Sequence, residues 1–237
     1  MYWLVDKKVS GEVVKSRNNS QRVFDLSISF FFVLLFSPLL AAISFWLLIT
    51  QGIPIFYREL RVGQHGITFA IYKFRTMKVG ANLKATVATD TDPDITCAGK
   101  LLKPSRLDEL PQLFNVIKGD MSIIGPRPLS PKHLHYLDED NAKALAETKP
   151  GMMNPAILMF IAEDQVLRTM PEPEEAYLKV FLPEKVRLQV IYEKNRTFLK
   201  DISTLFVVGR GIWSQKIWEQ SRMKLNHLLK EKQLLDC

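Results

Sequence analysis

Two carboxylates stand side by side at Asp108 and Glu109, in the stretch SRLDELPQLFNVIKGDMSIIGPRP (105–128) of a chain with formal net charge +7. Cations crowd around them in sequence. Lys100, Lys103 and Arg106 precede, Lys118 follows, and Arg127 is held between Pro126 and Pro128. Neighbours on a helix point about 100° apart, so the two acids cannot act on one atom in the same way. Either they take two roles at one site, or they are first-turn acids that complement a helix dipole, with Pro111 tolerated just behind. The cations favour a site. A carboxylate approaching a phosphate meets a repulsion of about 4 kcal/mol at ~4 Å and an effective dielectric near ~20, roughly three decades of rate. Lysine, arginine and a divalent metal offset that repulsion. The flanking prolines stiffen Arg127, whose guanidinium fits phosphate oxygens as a fork.

The remaining chemistry is sparse. Cys97 and Cys237 are far apart and have no metal-ligand spacing, and the four histidines form no HExxH pattern. The basic balance calls for an anionic partner: acidic lipid, nucleic acid or a phosphorylated substrate. The basic residues lack aromatic interleaving or any recognisable nucleic-acid module, which argues against nucleic acid.

Several elements must position these residues. Leu26 to Ile49 reads LSISFFFVLLFSPLLAAISFWLLI, without a charge, long enough to cross a hydrocarbon core of about 30 Å. Ser37-Pro38 interrupts its middle, where proline removes a backbone donor. Basic residues flank both ends: Lys7, Lys8, Lys15, Arg17 and Arg22 before it, Arg58 and Arg61 after it. A positive-inside tendency pulls both ends to the cytoplasm. From these features alone, a spanning and a re-entrant helix both stand. Beyond it, alternation around Gly63-Gln64-His65-Gly66 predicts a β-hairpin. Residues 80–98 read as a loop, 107–118 as a helix, and 119–132 as turn and extended chain. The segment 152–162 reads as core or interface, and 182–209 has helical spacing. From Ile212 onward the tail is basic and amphipathic and carries Trp213 and Trp218.

KFRTM (73–77) and LDELPQLFNVIKGDMSIIGPRP (107–128) closely resemble the bacterial sugar transferase family, the monotopic phosphoglycosyl transferases. The likeness extends through RVFDLSISFFFVLLFSPLL (22–40), GIPIFYRELRVGQHGITFAIYKFRTM (52–77) and KPG (149–151), with a weaker echo in 182–202. The resemblance implies an α+β fold: a membrane re-entrant helix-break-helix segment, broken at Ser37 and Pro38, and a small, mostly helical cytosolic domain with a β-hairpin. The implied organisation is a polar lead-in (1–22), the re-entrant helix (23–50), a catalytic domain (51–211) and a basic amphipathic helix (212–237).

It also implies transfer of a sugar 1-phosphate from a UDP-sugar to a polyprenyl phosphate, with release of UMP. Asp108 is then the nucleophile that forms a phosphosugar–aspartate. Glu109 helps to hold Mg²⁺, for which both carboxylates are candidate ligands. Arg127, Lys103, Lys73 and Arg75, with Pro126 and Pro128, are implied substrate-binding residues. The implied setting is the cytoplasmic face of a bacterial inner membrane, with lipid, donor and acceptor as partners, no nucleic acid, and room for a homodimer. Lys103 stands where the family often has arginine. PGMMNPAILMFIA (150–162) stands where a PGITG-like segment is familiar, so the sugar is not legible. The chain resembles the small catalytic-core type. A different class, a catalytically inactive membrane scaffold that binds anionic lipid, would have no need of adjacent acids among cations.

Overall fold

The computed structural model describes residues 19–81 and 94–232. Its described part is mostly helical, with four short strands. The chain divides into two compact units, one made of Arg17–Arg61 and Thr68–Ile123, the other of Val62–Ile67 and Ile124 onward.

The first unit opens with helix α1 (Asn19–Gln51), 33 residues long and containing Pro38. It is the one helix, among the described residues, long and apolar enough to cross a membrane. The helical conformation runs through Ser37-Pro38, so the expected helix-break-helix takes the form of one helix with a proline inside. Proline 38 has no N–H to offer the Leu34 carbonyl four residues back. The Ser37 hydroxyl donates to that carbonyl instead, at 2.8 Å. The helix starts at Asn19, inside the stretch read as a lead-in; residues 1–18 lie outside the described residues.

Both ends of α1 are tied to the first unit. Near the start, the buried Asp25 carboxylate accepts from Ser122 Oγ (2.9 Å) and from the Ile123 N–H (3.0 Å). Arg22 donates to the carbonyls of Val116 (2.7 Å) and Ile117 (2.8 Å), neutralising the negative end of a neighbouring helix. Towards the other end, Ile43 and Leu47 enter a cluster with Phe74, Ala98 and Leu102, against which Leu107 packs. The aliphatic and aromatic side chains between, from Phe30 to Leu39, include several that are exposed.

Strands β1 (Phe56–Val62) and β2 (Thr68–Phe74) form the expected hairpin. Helix α2 (Cys97–Leu102) follows, its N-terminus capped by Thr96; the loop expected before it lies mostly outside the described residues. The 107–118 segment resolves into a 3₁₀ turn (Leu107–Glu109) and helix α3 (Gln112–Lys118), with Leu110 and Pro111 still in the right-handed helical region. Gly119 ends α3 at φ 101°, a left-handed conformation suited to glycine. Strand β3 (Ser122–Ile124) comes next.

The second unit holds helix α4 (Glu139–Glu147), strand β4 (Gly151–Met153) and helices α5 (Glu163–Leu167), α6 (Pro173–Ala176), α7 (Leu182–Lys194), α8 (Phe198–Ile212) and α9 (Gln215–Glu231). The 182–209 pattern is thus two helices, because Thr197 leaves the helical region and caps α8. The 152–162 segment is core: Leu158, Phe160 and Ala162 are buried. In the basic tail, Leu225 and Leu229 of α9 are buried and Trp213 is exposed. Gly151 donates to the Pro126 carbonyl (2.8 Å) and Gly125 to that of Met153 (2.9 Å). A Cβ at Gly151 would lie 2.2 Å from the Gly125 nitrogen, so this approach admits only glycine.

Candidate active site

In the first unit, the 3₁₀ turn carries Asp108 and Glu109, and its position is set from three sides. Leu107 packs into the apolar cluster of α1, β2 and α2. Arg106, at φ 54°, turns the chain left-handed just before it, a conformation uncommon for a residue with a side chain. Behind it, the fully enclosed Asn115 of α3 binds the backbone of β2: Nδ2 donates to the Ala70 carbonyl (2.8 Å) and Oδ1 accepts from the Tyr72 N–H (3.0 Å). The side chain completes a strand edge with the two groups an amide provides.

That registration brings β2 to the acids. Lys73 Nζ lies 3.8 Å from Glu109 Oε1, and Arg106 Nη1 lies 3.7 Å from Glu109 Oε2. Asp108 is 8% exposed. The pair is therefore partly withdrawn from water with cations beside it, an arrangement that reduces charge repulsion towards an incoming phosphate. Arg106 was among the upstream cations but not among the residues singled out. Its signal in the sequence is the three-residue spacing to Glu109, which suits a helical ion pair.

The other expected residues fall in different places. Arg75 is buried, and its guanidinium closes the C-terminus of α1, donating to the carbonyls of Gln51 (2.5 Å) and Gly52 (3.1 Å). That is an anchoring position at the end of α1. Lys103 caps the end of α2, half-buried, its backbone N–H on the Gly99 carbonyl. Pro126, Arg127 and Pro128 belong to the second unit. There Arg127 is the one half-exposed residue in an otherwise buried run, 121–129, and its N–H donates to Gln189 Oε1 of α7 (3.2 Å).

A cluster on α7 and α8 fixes the chain just before that turn. Arg196 reaches Glu193 (2.7 Å) and Asp201 (2.6 Å), with a longer contact to the Ile124 carbonyl (3.5 Å). The Tyr192 hydroxyl donates to Asp201 Oδ1 (3.0 Å) and lies 2.9 Å from Thr204 Oγ1. Burial works against the Arg196 cation, but Glu193 and Asp201 outweigh it and raise its pKa above the usual arginine value. Burial is also the leading cause that pushes the Tyr192 phenol up, with Asp201 adding to it.

No group of three or more His, Cys, Asp or Glu side chains is placed to hold a metal among the described residues. Two hard carboxylates nonetheless suit Mg²⁺, which is commonly held by one or two carboxylates together with substrate phosphates.

A family model described as bacterial sugar transferase matches residues 16–213. The chain belongs to the bacterial sugar transferase family. Over 150 residues it is 40% identical to the undecaprenyl-phosphate galactose phosphotransferase of Salmonella typhimurium, covering 56% of this chain and 31% of that protein. Over 212 residues it is 30% identical to EpsL of Bacillus subtilis, itself named only as a sugar transferase, covering 90% of this chain and 94% of that one. Over 114 residues it is 40% identical to the UDP-glucose:undecaprenyl-phosphate glucose-1-phosphate transferase of Escherichia coli, covering 48% and 25%. The chain thus spans about a third of the Salmonella protein, a quarter of the E. coli protein and nearly all of EpsL.

Proposed function

We propose that this chain is a membrane-associated phosphoglycosyl transferase that moves a sugar 1-phosphate from a UDP-sugar to a polyprenyl phosphate and releases UMP. The observation that carries the reading is the partly buried Asp108–Glu109 pair with Lys73 and Arg106 at Glu109, in a chain of this family. Relatives named for transfer to undecaprenyl phosphate support the acceptor class.

Asp108 is the nucleophile. Its carboxylate attacks the sugar-bearing phosphorus, an O–P bond to aspartate forms, and the bond to the oxygen of UMP breaks. The polyprenyl phosphate oxygen then attacks the same phosphorus and frees Asp108. Lys73 and Arg106 hold Glu109 and lower the repulsion that the diphosphate would meet. Mg²⁺ held at Asp108 and Glu109 would neutralise developing phosphate charge. Arg127, offered on a proline-stiffened turn, supplies a phosphate or nucleotide contact, and Lys103 a further cation.

The attachments of α1 support a monotopic, re-entrant course. Arg22 binds next to Asn115, Asn115 binds Tyr72, and Arg75 binds the other end of α1. Tyr72 and Arg75 are three residues apart, at most about 10 Å of extended chain. All of these groups belong to the one compact unit that holds both ends of α1. These attachments favour one membrane face for both ends, and the cytoplasmic face of the inner membrane is where UDP-sugars are available to a basic surface.

Intact-protein mass spectrometry tests the reaction. Purified protein with Mg²⁺ and a panel of UDP-sugars is expected to gain the mass of one sugar phosphate, and Asp108→Asn is not. Neither an adduct nor UMP release after polyprenyl phosphate is added would sink the proposal.

A further inference from the structure

The side chain of Gln112 is 1% exposed, yet its Nε2 has no hydrogen-bond acceptor in the protein. Folded proteins rarely enclose an amide donor without a partner, because water held it in the unfolded chain. Its near neighbour Asn115 shows the usual outcome, with both ends of the amide bonded to β2. The chain stays helical from Leu107 through Leu110 and Pro111 into α3. Gln112 therefore falls one turn beyond the acids, four residues after Asp108 and three after Glu109, the two spacings at which side chains of a helical segment are neighbours.

We propose that Gln112 is a substrate-contacting residue: its Nε2 donates to a phosphoryl oxygen of the donor's diphosphate beside Asp108. A neutral donor has an advantage there over another cation. It offers a directed hydrogen bond to a phosphoryl oxygen without a further buried charge that would itself need a partner. The stability forgone in the free protein is recovered when the diphosphate supplies the acceptor. This inference rests on the proposed reaction.

The test compares wild type with Gln112→Leu and the near-isosteric Gln112→Met, as full chains in lipid nanodiscs. Thermal midpoints are read with and without the UDP-sugar that wild type turns over, alongside KM for donor and acceptor and kcat. Both variants are expected to keep or raise the ligand-free midpoint, since the unpaired donor is gone. Their ligand-induced shift should shrink, and the donor KM should rise tenfold or more at unchanged acceptor KM. Wild-type donor KM and ligand shift in both variants would overturn the inference, with the reaction left standing. A lowered ligand-free midpoint in both, with donor and acceptor KM unchanged, would also overturn it and make Gln112 a packing residue. A wild type that neither turns over nor responds to any UDP-sugar would instead overturn the reaction, and this inference with it.

Discussion

Asn115 Nδ2 donates to the Ala70 carbonyl at 2.8 Å, and through this contact a helix side chain takes the place of a third strand beside β2. The same amide accepts from Tyr72, one residue before Lys73. It thereby sets α3, and the turn with Asp108 and Glu109, against the strand that carries Lys73. Asn115→Ala strips partners from two backbone groups in an enclosed place. A loss of about 3 kcal/mol is expected at 1–3 kcal/mol per orphaned group. Chemical denaturation in detergent measures it, and a loss below about 1 kcal/mol would show that the contact is dispensable.

Arg196 stands between two buried acids, with side chains of Arg196, Glu193 and Asp201 only 6%, 2% and 3% exposed. Arg196→Met leaves both carboxylates without their cation and is expected to cost about 3–5 kcal/mol, the range for breaking a buried pair. Arg196→Lys should recover less than half of that, because an ammonium cannot fork to two acids. Equal stability of Met and Lys variants would show that the charge plays no part.

Tyr192 sets the alkaline limit of the same cluster. Burial, followed by the Asp201 charge, raises the folded phenol above its ordinary value of 10.0, with the Thr204 hydrogen bond opposing. The folded state therefore holds the proton more tightly than the unfolded chain. Its contribution is fully present below about pH 10 and is lost as pH rises beyond that, because only the unfolded chain then gains by ionising. Tyr192→Phe removes the Asp201 and Thr204 contacts, at a cost of about 1 kcal/mol at neutral pH. It should also flatten the fall of stability above pH 10, which unfolding titrations of the two proteins from pH 8 to 11 would reveal. Parallel curves would exclude the phenol as the cause.

What was legible in the sequence had a local physical code. The hairpin followed from alternation about Gly63–Gly66, and the long apolar helix from 24 uncharged residues. The pairing of acids with cations at 105–128 was visible in residue types and spacing. What was not legible depended on contacts distant along the chain. Arg75 read as a site cation, and only the fold shows it on the carbonyls of Gln51 and Gly52. Arg22 reads only as a basic flank of a membrane run, yet it binds the carbonyls of Val116 and Ile117, and its neighbour Asp25 binds Ser122 and Ile123, about 95 residues away. The division at Thr197 was hidden because apolar spacing persists across it, and a single cap breaks the helix without disturbing the pattern.

The Ser37–Leu34 contact bears on how α1 meets the membrane. Proline at 38 removes the donor that would bind the Leu34 carbonyl, and the Ser37 hydroxyl satisfies it sideways at 2.8 Å. Such a substitution lets a helix bend in an apolar medium without a bare carbonyl, which would cost several kcal/mol in lipid. Pro38→Ala restores the backbone donor and favours a straight helix, about 50 Å over 33 residues. A straight apolar helix of that length is long enough to span a hydrocarbon core of about 30 Å and would carry its two ends to opposite faces. With single cysteines at Asn19 and Lys78, impermeant thiol reagents applied to intact cells should label neither position in the Pro38 protein. In Pro38→Ala, Asn19→Cys is expected to become accessible from outside in a fraction of molecules, with transferase activity falling in proportion. Labelling of the two positions on opposite faces in the parent protein would overturn the re-entrant course.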